Sequence, residues 1–380
     1  MKAVTLSVPI LWCGLLAAAS PNRNEPLGKD AIAVSKGIQW LVSVQGKDGG
    51  WGQDGGETTF VRQGERLEHT GNDVANTAVS LLALHHTGTT PEKGAHAAAF
   101  RRGLDFILKQ VEESPDEGLV ITKATGTQIQ RKLGPFIDTF LTSMLLGELD
   151  GNLKDRALQA RVRSSLTKCV RKIEANQMKD GSWNISGGWA PILGTSMASR
   201  SLSVAAAKGV KVDEMKMAKV NEYTKDSIVF SGAGRGVGAG VGGGAYGAVA
   251  GLAAETVSPA PLYQAAQQLE ELSRTEKDRR DNKKEIQAIA GRLSDSAFVR
   301  GYGSMGGEEF FSYLNISDSL RRTGGPEWDK WNAKIKTTLV DIQNENGTWA
   351  GHHCITGRVA VTSAALLTLV SEHQPLLAKK

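Results

Sequence analysis

The stretch Gly37-Ile-Gln-Trp-Leu-Val-Ser-Val-Gln-Gly-Lys-Asp-Gly-Gly-Trp51 reads as the end of a helix, a glutamine, an Asp-Gly turn and a tryptophan. The same order returns in Arg171-Lys-Ile-Glu-Ala-Asn-Gln-Met-Lys-Asp-Gly-Ser-Trp183 and in Thr338-Leu-Val-Asp-Ile-Gln-Asn-Glu-Asn-Gly-Thr-Trp349. A worn copy, Gly103-Leu-Asp-Phe-Ile-Leu-Lys-Gln110 followed by Gly118, has lost its tryptophan. Each element has a physical use. Asp48-Gly49 and Asp180-Gly181 are turn signals, because Gly accepts positive φ and Asp bonds its own backbone. The glutamine can reach backbone groups left free at a helix end. The tryptophan returns a large apolar face and one N–H donor. A device that recurs at intervals marks a repeat architecture, and these tryptophans are expected to pack against their own repeats and not line a ligand site.

Between the copies lie helices of two kinds. Leu104, Ile107, Leu108 and Val111 form one apolar stripe, as do Leu166, Val170 and Ile173 and then Trp331, Ile335, Leu339 and Ile342. Such helices show one face to a core and the other to water. Other segments are apolar or small all round: Val74 to Leu84, Phe136 to Leu146, Thr195 to Ala207, Ala245 to Ala254, Phe310 to Leu320 and Arg358 to Val370. Helices with no polar face are buried on all sides. The pattern predicts an all-α protein that pairs outer amphipathic helices with inner buried ones.

Gly37, Trp40, Leu41, Gln45, Gly49 and Trp51, with Gln177, Gly181, Trp183, Gln343, Gly347 and Trp349, resemble the QW repeat of the terpenoid cyclase and protein prenyltransferase superfamily. The resemblance runs from Gly37 to about Leu369. It implies an α/α toroid of five or six helical hairpins around a central cavity, and a squalene cyclase-like or prenyltransferase-like scaffold for an apolar, isoprenoid-like ligand. The family's catalytic signatures are missing from the chain. There is no Asp-x-Asp-Asp acid motif, no Asp-Asp-x-x-Asp diphosphate motif, no Asp-x-Cys of the protein prenyltransferases and no Gly-Cys-Gly-Glu-Gln thioester. Two functions stay open: an enzyme acting on an apolar small molecule, or a non-catalytic ring that binds a ligand or a protein partner.

The remaining features bound these readings. Met1 to Ser20 has a Lys2 n-region, an apolar run from Ala3 to Leu16 and the small residues Ala17-Ala18-Ala19-Ser20. That is the form of a secretory signal, so the expected protein is exported, periplasmic or extracellular, with no stable membrane span after cleavage. Residues 21–30 read as a linker and 31–375 as the toroid. The 380 residues carry a net charge of +5, with Lys and Arg interspersed among Asp and Glu. This balance argues against a nucleic-acid groove. The Gly-rich segment 231–251 follows no predicted strand and is a weak match to a dinucleotide fingerprint. The charge-dense segment 269–292 reads as an exposed helical excursion. Beyond the leader, Cys169 and Cys354 stand far apart and read as buried thiols.

Charges in buried helices are the candidate site residues. Asp138 and Arg200 stand alone in their helices, while Asp73, Glu308, Glu309 and Arg358 open others. Burial of Asp138 among Phe136, Phe140 and Leu141 would raise its pKa and make it a candidate acid. Gly351-His-His-Cys-Ile-Thr-Gly-Arg358 is the sharpest cluster. The candidate catalytic set is Asp138, Glu308, His353 and Cys354. Helix capping and local pairing are the structural alternative for each. Zinc would need further ligands, so no metal site is assigned, and the sequence names no cofactor.

Overall fold

The computed structural model describes residues 28–54, 71–183, 191–232, 260–295, 298–299, 306–352 and 354–373. The protein is all-α. The helices are α1 (Lys29–Ser43), α2 (Val74–His86), α3 (Ala97–Glu113), α4 (Gln128–Leu133), α5 (Ile137–Leu149), α6 (Arg156–Ala175), α7 (Pro191–Ala207), α8 (Glu214–Gly232), α9 (Ala260–Leu272), α10 (Glu276–Asp281), α11 (Lys283–Arg292), α12 (Gly307–Thr323), α13 (Pro326–Asp341) and α14 (Arg358–Leu369). One short antiparallel pair, β1 (Trp51–Gly52) with β2 (Asn72–Asp73), leads into α2. Among the described residues no helix is long and apolar enough to cross a membrane.

The helix types sort as their sequence patterns require. Helix α2 is buried from Val74 to Leu84, α12 from Gly307 to Leu320 and α14 from Val359 to Leu369. Helices α3, α6 and α13 bury only their stripes, such as Leu104, Ile107 and Leu108, or Trp331, Ile335 and Leu339. The buried helices α2, α5, α7, α9, α12 and α14 each pack against the next, and α14 packs against α2, so the order closes on itself. Helices α1, α3, α6, α8, α11 and α13 pack on the outside of this circuit.

The three Gln–Gly–Trp turns repeat one geometry. Trp51, Trp183 and Trp349 each donate Nε1–H to a carbonyl ten residues earlier, on Leu41, Ile173 and Leu339, at 2.7 Å in every case. Their backbone amides donate to hydroxyls of Thr77, Thr195 and Thr362 on the following inner helix. Gln45, Gln177 and Gln343 donate both to the carbonyl of their own turn glycine and to one on the next outer helix, on Ala99, Lys216 and Ala33 respectively. The last of these bonds, 2.8 Å long, spans 310 residues and ties the end of the chain to its beginning. Gly347 has φ +86°, and a Cβ there would lie 2.8 Å from the Lys36 carbonyl carbon and oxygen, so the turn requires glycine twice over.

The tryptophans also reach beyond their own repeats, which the sequence reading did not expect. A Cβ on Gly103 would come within 2.7 Å of the Trp51 ring, and one on Gly37 within 3.0 Å of Trp349. The glycine that opens one copy is thus the seat for the preceding tryptophan. In the worn copy the bonding direction is reversed. Buried Lys172, from α6, donates Nζ to the carbonyls of Pro115, Glu117 and Gly118 at 2.6, 3.1 and 3.0 Å. Its ammonium binds the turn carbonyls from outside, where the other copies use a glutamine within the turn.

Two sequence expectations need adjusting. The inner helix expected at Ala245 to Ala254, with the Gly-rich segment before it, lies outside the described residues. Helix α9 occupies the corresponding place in the circuit. The start of the charged excursion 269–292 belongs to α9 and is buried, with Leu269, Glu270, Glu271 and Leu272 all at most 4% exposed. Its carboxylates are buried because arginines meet them: Glu270 pairs with Arg322, and Glu271 with Arg274. Only α10 and α11 keep the largely exposed character expected of the whole segment.

Candidate functional site

Polar groups collect at the N-terminal end of the inner helices. Asp73 caps α2: its Oδ1 accepts from the Asn76 amide at 2.9 Å and its Oδ2 from Asn76 Nδ2 at 2.8 Å. Asp138, in the first turn of α5, has two structural partners. Its Oδ1 accepts from the Ala75 amide at 3.0 Å, and its Oδ2 accepts from Gln130 Nε2 at 2.8 Å. The carboxylate therefore joins α5 to the first turn of α2, where free N–H groups favour negative charge, and to α4. Burial pushes the Asp138 pKa up to about 7, with a further rise from the charge of Asp73. Burial also brings Asp73 to about 6, against the hydrogen bonds from Asn76.

These shifts make the fold sensitive to pH. Both carboxyls bind a proton more readily in the folded chain than in the unfolded one. Their contribution to stability is fully present below the unfolded carboxylate range, near pH 4, and is lost as pH rises through 6 and 7. We expect these two groups to make the protein more stable at pH 5 than at pH 8 by on the order of 3 kcal/mol. Urea titrations at the two pH values should show this difference, and Asp138→Asn should remove most of it. An unchanged pH dependence in that variant would contradict the assignment.

Glu308, at the start of α12, lies in a different part of the same end. Its Oε2 accepts weakly from the Ile355 amide at 3.4 Å. Burial raises its pKa, opposed in part by a hydrogen bond with Cys354. Cys354 sits at φ +62°. Burial and the neighbouring Glu308 carboxylate push its thiol up to about 12. This is the reverse of what a nucleophilic cysteine needs. His353 lies outside the described residues. Among those described, no three His, Cys, Asp or Glu side chains could together hold a metal ion.

Helix α4 stands between the Asp138 and Glu308 groups. Gln128 Nε2 donates to the Thr356 hydroxyl at 3.0 Å, and its Oε1 accepts the amides of Thr356 and Gly357 at 3.1 and 3.0 Å. The Gln128 amide donates to Gln53 Oε1. Beneath this helix lies a slot lined by Gln53, Asn76, Gln128, Ile129, Ile355, Gly357 and Ala360, too narrow to hold a water molecule. Asp138 and Glu308 thus share an end of the circuit, but neither lines this slot.

A second polar group, at the C-terminal end, escaped the sequence reading except for Arg200. Arg200 of α7 forms an ion pair with Asp318 of α12. Glu270 of α9 accepts from Arg322 at 2.7 Å and from Ser319 at 3.2 Å. Glu148 of α5 meets His86 Nε2 of α2 at 2.5 Å. Burial alone would raise Glu148, but His86, then His85 and Arg200, override it and hold the carboxyl down at about 2. Burial opposes the charge on Arg200, yet Asp318, Glu270 and Glu148 keep its pKa above the usual arginine value. Along α12 the buried residues Glu308, Ser312, Asn315 and Ser319, followed by the half-buried Arg322, recur at helical spacing and join the two ends by a polar stripe.

Comparison with known proteins gives a distant likeness. Over 107 residues the chain is 29% identical to the squalene–hopene cyclase of Zymomonas mobilis. The aligned part is 28% of this chain, and it spans 14% of that enzyme's length. No family model matches. The chain is thus distantly similar to the terpenoid cyclase superfamily.

Proposed function

We propose that this chain is an exported α/α toroid of the terpenoid cyclase and prenyltransferase type that serves as a non-catalytic binding module. The observation that carries the reading is the employment of Asp138. Both of its oxygens are committed to ties that hold α2, α4 and α5 together, so the best candidate acid is a structural fastener. The raised thiol pKa of Cys354 supports the same reading. Export rests on the Met1 to Ser20 segment, and an intact Met1 on cytoplasmic protein from the native host would count against it.

The second reading, an enzyme acting on an apolar isoprenoid-like molecule, is favoured by one observation. Asp138 at about 7 beside Asp73 at about 6 is a buried pair that keeps a proton near neutral pH. Incubating the purified protein with squalene, and separately with farnesyl diphosphate, separates the two readings. Analysis of the extracted products should find no cyclised or transferred isoprenoid. A product formed by the wild type and lost in a folded Asp138→Asn variant would replace the binding module with an enzyme.

A further inference from the structure

We propose that α4 is a hinged lid over the N-terminal end of the inner helices, whose lifting uncovers Asp73, Asn76 and Asp138. The inference rests on the binding reading above and gives that site a gate. Glycines at positive φ flank the helix: Gly126 at +78° and Gly134 at +112°. A Cβ on Gly134 would meet nothing within 4 Å. Its glycine therefore answers to backbone conformation and not to crowding, as a hinge position requires. Between the hinges, Thr127 and Gln130 form a capping box, so residues 127–133 can move as one preformed turn.

The lid has a seat and two latches. The seat is Gly194 of α7, where an added Cβ would lie 2.3 Å from the Leu133 carbonyl oxygen. Gln128 latches it to Thr356 and Gly357, and Gln130 latches it to Asp138. Each latch is made of neutral side-chain amides bonded to polar groups, an arrangement that water can replace at modest cost. Under the lid, Asn76 is 1% exposed and lines the slot. Its Oδ1 has no hydrogen-bond partner. A buried acceptor left without a donor calls for one, and the closed slot has no room for water to supply it. Lifting α4 would offer that acceptor, beside two carboxyls, to a small polar molecule carrying a hydroxyl or ammonium donor.

Gly194→Ala tests the lid without removing a polar group. Alanine suits a helix interior better than glycine, but its Cβ would displace Leu133. Hydrogen exchange should accelerate about tenfold or more at residues 127–133, with α6 unchanged. Maleimide labelling of Cys354, whose loop is held by Gln128, should also quicken, while fully buried Cys169 stays protected. Gln128→Ala, which removes the Thr356–Gly357 latch and leaves the Thr127–Gln130 capping box in place, should do the same. Unchanged exchange at 127–133 in both variants would overturn the lid. So would acceleration in both that comes only with exposure of Cys169, the mark of global unfolding. These readouts need no ligand. Their failure leaves the binding module standing, and turnover of squalene would leave the lid standing.

Discussion

Trp349→Ala is expected to destabilise the protein by roughly 3–5 kcal/mol, the range for truncating a large buried aromatic. Trp349 is 1% exposed. Its loss removes the 2.7 Å bond to the Leu339 carbonyl, loosens the backbone amide's setting against the Thr362 hydroxyl of α14, and empties the space beside Gly37, where the ring and Leu366 both crowd the glycine. The damage therefore falls on α1 and α14 as well as on α13. Chemical denaturation of the variant measures it directly. A loss below about 1 kcal/mol would mean that the turns do not hold the circuit together. Trp51→Ala should behave alike, because Trp51 is also fully buried and lies against Gly103.

Arg200→Met is expected to cost about 3–5 kcal/mol, because it strands buried carboxylates that arginine now balances. Asp318 loses its ion-pair partner, and Glu148 and Glu270 lose a nearby positive charge. The double variant Arg200→Met/Asp318→Leu should recover much of that loss, since replacing both members of a buried pair by apolar groups is often near neutral. A double-mutant cycle by urea denaturation reads the coupling. Additive losses in the two single variants would show that Arg200 and Asp318 do not act as a pair.

The parts of this molecule that the sequence makes legible are those built from local order. The Gln–Gly–Trp turns are readable because each motif is complete within about fifteen residues, although the glutamine's second bond and the tryptophan's seat lie on neighbouring helices. The buried helices were readable from their lack of a charged face. Asp138 stood out for the same reason, and its burial and raised pKa follow from the apolar residues around it. What it bonds to was not readable. Gln130 lies on α4, a six-residue helix too short to show periodicity, and the other partner is a backbone N–H, that of Ala75 on α2.

Long-range pairing hid the rest. Asp318 and Arg200 lie 118 residues apart in sequence, and nothing local marks them as partners. The acidic pair Glu270-Glu271 looked like a solvated surface because the arginines that make its burial tolerable were not visible from its own segment. Lys172 is one of several basic residues on α6, and nothing in its own segment marks it as the clamp of a turn 54–57 residues earlier. The stripe Ser312, Asn315 and Ser319 was obscured by small polar residues that suit a close-packed helix as well as a polar axis. These side chains give the interior a more polar character than a site for an apolar chain would need.

The most direct test of the stitched circuit is native-state hydrogen exchange on Gln343→Ala. Gln343 donates both to Gly347 within its own turn and to Ala33 on α1. If the last turn fastens the chain's end to its beginning, exchange should quicken in the first turns of α1 as well as around residues 342–349, although α1 lies some 310 residues away in sequence. Acceleration confined to residues 338–349, with α1 as protected as in the wild type, would contradict the closed circuit.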